Sequence, residues 1–133
     1  IIGLAGTDNL ISGMWWNDKD SMQGQVGHIN RGKRYISKYS PSFGDDLKEV
    51  VVIDGLFMMV HKRRIKHLFN VDFEGFHFYD LPICLLNYME GIKIGVTTKI
   101  KLYHLSIGEV DKKWKKSKLF FEALYEKYLP LKV

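Results

Sequence analysis

His104 follows a predicted strand, at a position that suits a ligand for a metal ion or a phosphate. It continues the even-numbered apolar row of residues 92–106, so we expect its imidazole to point toward the interior or a cleft. Sites in α/β proteins gather at strand ends, and imidazole is a frequent metal ligand. The alternative is a histidine that is hydrogen-bonded within the core.

Asp80 is a candidate general base because it follows an aromatic run at residues 76–79. Aromatic surface beside a carboxylate removes water from it, which raises the pKa and favours work as a base. The alternative is that Asp80 caps a helix, and the two roles are compatible.

Asp54 interrupts an apolar run at residues 50–60. An ionised carboxylate in a core is costly unless it is paired, hydrogen-bonded or at a cleft. Gly55 beside it indicates a bend or a close approach of the backbone. An ordinary Asp-Gly turn explains the pair equally well.

The remaining candidates are aromatic and basic. Trp15 and Trp16 could stack on a sugar or a base, or could anchor a loop. The lysines of residues 111–129 could rest on an anionic membrane or on nucleic acid, or form the solvated side of a packed helix. The other histidines have no zinc spacing, and the sequence has neither a P-loop nor a Gly-x-Ser-x-Gly elbow.

Composition limits the class of protein. With 133 residues, 46% of them hydrophobic, residues 1–133 can form one domain. The net charge of +5 attracts phosphates, nucleotides or anionic membranes. Cys84, the single cysteine, excludes a disulfide within one chain and suits a reducing, cytoplasmic compartment. The apolar runs fall far short of the ~20 residues that span a bilayer.

The elements that must position these residues alternate between strands and helices. We predict strands at 1–5, 50–53, 56–60 and 92–106, a loop at 7–43 that is either functional or disordered, and an amphipathic helix at 111–129. A second helix is predicted at residues 80–89, with Asp80 as N-cap, Pro82 in the first turn and Gly91 as the stop.

These landmarks resemble a family of bacterial glycosyltransferase-like proteins of the GT-A fold, over most of the chain. The residues that carry the resemblance are Ile2-Gly3-Leu4-Ala5-Gly6-Thr7, Trp15-Trp16, Val52-Ile53-Asp54-Gly55-Leu56-Phe57-Met58, Asp72, Gly75-Phe76-His77-Phe78-Tyr79-Asp80, Gly91, His104-Leu105-Ser106, Gly108 and Trp114.

The resemblance implies an α/β, mixed-sheet GT-A fold that is incomplete in this chain. The nucleotide-binding βαβ half and its Asp-x-Asp metal motif are expected to precede Ile1, and the chain opens without an initiator Met. Asp18-Lys19-Asp20 has the letters of that motif, but it does not end an apolar strand, and we do not assign it to the metal. The chain would then be an acceptor-side part, inactive alone.

The resemblance also implies roles for single residues. Asp80 looks like the carboxylate that takes the acceptor proton, and His104 looks like the histidine that joins Asp-x-Asp on a divalent metal (Mn or Mg) or the diphosphate. The residues expected to bind substrate are Asp54, Gly55, Trp15, Trp16 and Tyr79. Where the family usually has a second acid two residues after Asp80, this chain has Pro82.

The implied activity is metal-dependent, inverting transfer of a sugar from a nucleotide-diphospho-sugar to an acceptor hydroxyl. It would serve surface polysaccharide or glycan synthesis in the cytoplasm, at the inner face of the membrane if the basic helix binds there, with no nucleic acid involved. The alternative is a degenerate, non-catalytic relative that binds carbohydrate or nucleic acid through its tryptophans and lysines.

Overall fold

A central sheet of mainly antiparallel strands forms the middle of the protein. The computed structural model describes residues 1–70, 72–73, 75, 77–105 and 108–133. The sheet has the order β5 (Lys33–Lys38), β4 (Met22–Asn30), β2 (Ala5–Thr7), β7 (Val52–Ile53). A further strand, β9 (Tyr103–His104), pairs with β4 in parallel.

Two smaller sheets flank this one. In the first, β8 (Gly95–Val96) pairs in parallel with β1 (Ile2–Gly3) and antiparallel with β6 (Lys48–Glu49). In the second, β3 (Asn9–Leu10) pairs antiparallel with β10 (Leu131–Lys132), so the C-terminal end of the chain returns to its beginning. Parallel and antiparallel pairs together with helices give the α/β class with mixed sheets that we predicted.

The first helix, α1 (Asp80–Met89), has the predicted bounds. Pro82 lies in its first turn, and Gly91 ends it with a positive φ of 77°, which glycine adopts without strain. One prediction was wrong: the N-cap is Tyr79, and Asp80 is the first helical residue. One oxygen of its carboxylate bonds outside the helix, to the N–H of Gly55.

The second helix, α2 (Lys112–Tyr125), begins where Asp111 accepts a hydrogen bond from the N–H of Trp114 at 2.7 Å. A 3₁₀ turn, Glu126–Tyr128, follows it, so the predicted helix is confirmed over most of its length. Trp114, Phe121 and Tyr125 face the core. In the described parts of the chain, neither helix has the length and apolar character that crossing a bilayer requires.

Three other predictions were wrong in part. The supposed loop at 7–43 contains the longest strands, β4 and β5, joined by the tight turn Arg31-Gly32, in which both residues have positive φ. Among the described residues of 92–106, strand pairing occurs only at Gly95–Val96 and Tyr103–His104, because the segment crosses from one sheet to another. Within the part of the chain that the structure describes, residues 56–60 form one bridge, between Ile2 and Met59.

Phe76 and Ser106, which belong to the resemblance, and Ile107 lie outside the described residues.

A cluster of rings holds the segment that leads into α1. Phe78 has a φ of 61°, which is unusual for a residue with a side chain. Its ring centroid lies 5.3 Å from that of Trp114 and 5.6 Å from that of Phe121. The ring centroids of Phe121 and Tyr125 are 5.1 Å apart. These contacts offset the conformational cost at Phe78, and they fix the chain just before Tyr79 and Asp80.

Phe121→Ala should lower the free energy of unfolding by about 3 to 5 kcal/mol, because it leaves a cavity under Phe78. Phe120→Ala is the matched control: its ring is 40% exposed, and the loss should be clearly smaller. Urea unfolding of both variants measures the difference. Equal losses would contradict the view that the ring cluster around Phe121 carries this part of the core.

Candidate functional site

A cleft of about 1040 Å³ lies beside the end of β7 and the start of α1. Among the residues of its walls are all of those predicted for the site except Gly55: Trp15, Trp16, Asp54, Tyr79, Asp80 and His104. The fold thus brings together side chains from widely separated parts of the sequence.

Two backbone N–H groups hold the Asp80 carboxylate. The N–H of Gly55 donates to Oδ2 at 2.8 Å, and the N–H of Leu81 donates to Oδ1 at 3.0 Å. Gly55 lies just beyond β7, so the first bond links the sheet to the helix. Both bonds, and the position at a helix N-terminus, favour the charged form of the carboxylate.

Burial outweighs these bonds. Together with the nearby charge of Asp54, it raises the pKa of Asp80 to about 6. Burial also raises the pKa of Asp54, although its Oδ1 accepts a hydrogen bond from the N–H of Leu56 at 3.2 Å. A carboxylate with a pKa near 6 is ionised at neutral pH and is a stronger base than an ordinary aspartate.

Tyr79 and Gly55 lie against each other beside this acid pair. Burial, followed by the charges of Asp80 and Asp54, raises the pKa of Tyr79 to about 12, so the phenol keeps its proton and can donate it in a hydrogen bond. A Cβ on Gly55 would overlap the Tyr79 ring. This is the close backbone approach that Gly55 indicates in the sequence, and a residue with a side chain would not fit at this position.

Aromatic rings line another wall. Trp15 is buried, and its ring packs edge-on against those of Trp16 and Tyr39, with centroids 5.8 Å and 6.1 Å apart. The Trp16 ring also packs against that of Trp114, with centroids 5.6 Å apart, and Trp16 is more exposed than Trp15. Trp15 therefore anchors the wall, and Trp16 is the ring better placed to meet a ligand.

His104 lies on β9 and lines the same cleft. The parallel pairing of β9 with β4 sets it opposite His28, with the two ring centroids 6.3 Å apart. His28 was not a candidate from sequence, because histidines 76 residues apart give no spacing signal. Only the strand pairing brings them together.

The described residues do not complete a metal site. Within the described ranges, no three His, Cys, Asp or Glu side chains converge as ligands. Asp18 instead begins the 3₁₀ turn Lys19–Ser21, where its side chain accepts hydrogen bonds from the N–H of Asp20 and the hydroxyl of Ser21.

Other cleft residues were not proposed as site residues from the sequence. They are Lys38, Tyr39, His77, Glu109 and Asp111. His77 Nε2 lies 3.6 Å from Asp111 Oδ1, which joins the segment before α1 to the start of α2. The aromatic run at 76–79 was the only signal near this pair.

A mixed α/β fold whose cleft combines a basic carboxylate, aromatic rings and imidazoles has the groups that an enzyme acting on sugars and hydroxyls needs. The chain belongs to the glycosyltransferase-like family, whose model, described as "Glycosyltransferase like family", matches residues 1–128. This confirms the family that the sequence motifs resemble, and it indicates glycosyl transfer as the broad class of activity. No curated protein and no solved structure matches the chain.

Asp80→Asn should change how stability depends on pH. Because the pKa of Asp80 is about 6 in the folded protein and about 4 in an unfolded chain, its contribution to stability is fully present below pH ~4 and is lost as the pH rises through about 6. The stability of the variant relative to the natural protein should therefore increase between pH ~4 and ~7.5. Urea unfolding across this range measures it.

The exposed Asp46 provides the control. Asp46→Asn removes the same charge at an exposed site, and it measures the effect of losing a surface charge alone. If the difference between Asp80→Asn and the natural protein did not vary with pH, Asp80 would not have the raised pKa described above.

Proposed function

We propose that the cleft binds a nucleotide-diphospho-sugar and an acceptor hydroxyl, and that Asp80 removes the acceptor proton during inverting transfer of the sugar. The observation that carries the proposal is the Asp80 carboxylate, held by the N–H groups of Gly55 and Leu81 in a cleft that raises its pKa to about 6. Membership of the glycosyltransferase-like family supports the reaction class.

The proposed step is an in-line displacement. The acceptor oxygen attacks the anomeric carbon while the bond from that carbon to the diphosphate oxygen breaks. The acceptor proton passes to Asp80, and the nucleoside diphosphate leaves with the bonding electron pair. Because the acceptor attacks the face opposite the leaving group, the configuration of the anomeric carbon inverts.

The other predicted residues would position the substrates. The pKa of Tyr79 is raised to about 12, so its phenol stays protonated at neutral pH and can donate a hydrogen bond to a sugar oxygen. Asp54 would accept hydrogen bonds from sugar hydroxyls, and its charge would help to keep the pKa of Asp80 raised. The Trp16 ring offers an apolar face for a pyranose.

His104 is proposed to meet the diphosphate side of the donor, either directly or as one ligand of a divalent metal. A metal there would need ligands from outside the described residues, because those described bring no three ligands together. We propose a surface polysaccharide or another glycan as the acceptor, and the cytoplasm as the place where this protein acts.

In the full-length protein, Asp80→Asn should keep nucleotide-sugar binding and lower transfer by about 10²- to 10⁴-fold, the usual contribution of a general base. His104→Ala should weaken donor binding. Titrations with UDP- and GDP-sugars, with and without manganese, measure binding, and a separate assay of sugar transfer under the same conditions measures activity. Asp46→Asn is the control in both.

Two outcomes would contradict the proposal. Full transfer by Asp80→Asn would remove Asp80 from the chemistry. If the natural protein bound no nucleotide sugar under any of these conditions, the catalytic function would be wrong, and a carbohydrate- or nucleic-acid-binding module would become the better description.

We also propose that α2 rests on an anionic membrane surface. Its first turns expose Lys112, Lys113, Lys115 and Lys116, and its later turns expose Leu119 (68%), Phe120 and Leu124 (41%). Lys118 is not part of this surface, because it pairs with Glu122 at 2.6 Å. Exposed apolar residues beside a lysine cluster are typical of helices that insert shallowly among anionic headgroups.

Lys113→Glu with Lys116→Glu should reduce binding to vesicles that contain phosphatidylglycerol by at least about tenfold, since each lysine near such a surface contributes about 1 kcal/mol. Leu119→Ser with Leu124→Ser should weaken it too. Co-sedimentation measures binding, with Lys33→Glu, on the exposed hairpin, as control. Equal binding to neutral phosphatidylcholine vesicles, or no binding by the natural protein, would contradict this contact.

A further inference from the structure

A turn beside α1 exposes three consecutive cations to solvent. They are Lys62, Arg63 and Arg64, and none of them makes an ion pair with a residue that the structure describes. Lys66, a little further along, differs because it pairs with Glu90 at 3.1 Å. Neighbouring charges of the same sign repel each other, so an anionic partner at this turn would remove an electrostatic cost.

The side chain of Asn87 fixes this turn onto α1. Asn87 is fully buried, and its Oδ1 accepts hydrogen bonds from the N–H groups of Lys66 at 2.8 Å and His67 at 3.1 Å. Its Nδ2 donates to the carbonyl of His67 at 2.8 Å. Within the turn, the N–H of Arg64 donates to the carbonyl of His61 at 2.9 Å. Because the backbone is already ordered, binding a partner here costs little conformational entropy.

Large apolar side chains lie exposed on both sides of the cations. Met59 and Val60 precede the turn and are 48% and 41% exposed, and Leu68 and Phe69 follow it and are 74% and 54% exposed. A soluble polyanion would meet the cations but leave these side chains in water. A bilayer with anionic lipids can meet both, since its headgroups attract cations and its acyl chains take up apolar groups. The combination therefore favours an anionic lipid surface.

The same segment adjoins the exposed side of α2. Just after residues 59–69, Asn70 Nδ2 donates a hydrogen bond to the Tyr125 hydroxyl at 3.3 Å. The Phe73 ring packs against that of Phe120, with centroids 5.1 Å apart, and Phe120 is one of the exposed apolar residues of α2. Residues 59–69 and the exposed apolar residues of α2 are therefore connected through neighbouring side chains.

We infer that residues 59–69 bind the surface of an anionic bilayer, with the three cations among the headgroup phosphates and with Val60 and Leu68 at the boundary of the acyl chains. This contact is additional to the one proposed for α2 and does not depend on it. Because the ring of Phe69 packs against that of Tyr79, with centroids 6.0 Å apart, the contact would bring the α1 side of the cleft close to the lipid surface.

A fluorescent probe at residue 68 tests the contact directly. In the full chain, Leu68→Cys is labelled with the environment-sensitive dye NBD; Cys84 does not compete for the dye, because it is fully buried and its thiol has a pKa raised to about 12. Vesicles of phosphatidylglycerol and phosphatidylcholine should shift the emission to the blue and increase it. The same dye on Lys33→Cys, on the exposed hairpin, is the control and should not respond.

Loss of two of the cations should weaken co-sedimentation with these vesicles. Lys62→Gln with Arg63→Gln should bind at least about tenfold more weakly, since each cation near an anionic bilayer strengthens binding by about fivefold. Lys33→Gln with Lys48→Gln removes the same charge from exposed positions elsewhere and is the matched control. Equal losses in the two double variants would contradict a specific contact through the turn.

Val60→Ser with Leu68→Ser should also weaken vesicle binding, by at least about threefold, because serine gains no free energy from leaving water. If this variant binds as tightly as the natural protein, the turn recognises a soluble polyanion and the inference is wrong. If the dye at residue 68 stays in water while the protein binds vesicles, the inference is wrong and the contact through α2 stands.

The two membrane contacts can be separated. If the dye at residue 68 still enters the bilayer in a chain that carries Lys113→Glu and Lys116→Glu, the contact through residues 59–69 is independent of α2, as inferred. If the natural protein binds no anionic vesicles, both membrane contacts are wrong, and the proposed sugar transfer is unaffected.

Discussion

The hydrogen bond from the Gly55 N–H to the Asp80 carboxylate joins the two elements between which the cleft opens. α1 packs on β7 through fully buried apolar residues, including Ile53, Ile83 and Leu85. Such contacts hold a helix on a sheet, but they are not directional and leave its axial position loosely defined. A hydrogen bond with a short distance and a preferred angle sets that position. The start of α1 therefore lies where its first carboxylate can meet the end of β7.

This arrangement has an electrostatic cost that is also its chemical use. Burial in the cleft raises the pKa of both Asp54 and Asp80, and the charge of Asp54 raises that of Asp80 further. Just before Asp80, Phe78 adopts a backbone conformation that is rare for a residue with a side chain. The surrounding rings of Phe121 and Trp114 stabilise this segment. Strain and burial concentrated at one place, and compensated by packing around it, are typical of functional sites.

Predictions from sequence succeeded where local rules act alone. The bounds of α1 follow from Pro82, Gly91 and the apolar run between them, and all of these act within a few residues. The hairpin β4–β5 was missed because Gly24 and Gly27 interrupt an otherwise weak alternation. In the structure they are small because other chain segments approach them: Leu4 lies against Gly24, and Leu102 and Tyr103 lie against Gly27. No local pattern reports such contacts, since they depend on which strand becomes the neighbour.

The sequence by itself determined the family, the α/β class and the position of α1, because motif order and apolar periodicity are properties of the chain. It also singled out Asp54, Asp80 and His104 as unusual for their surroundings. The tertiary structure decided that these three share one cleft and that His28 joins His104 there. It decided as well that burial beside Asp54 raises the pKa of Asp80 to about 6. Strand pairing and desolvation depend on the distance between groups in space, and for residues far apart in the chain only the folded packing defines that distance.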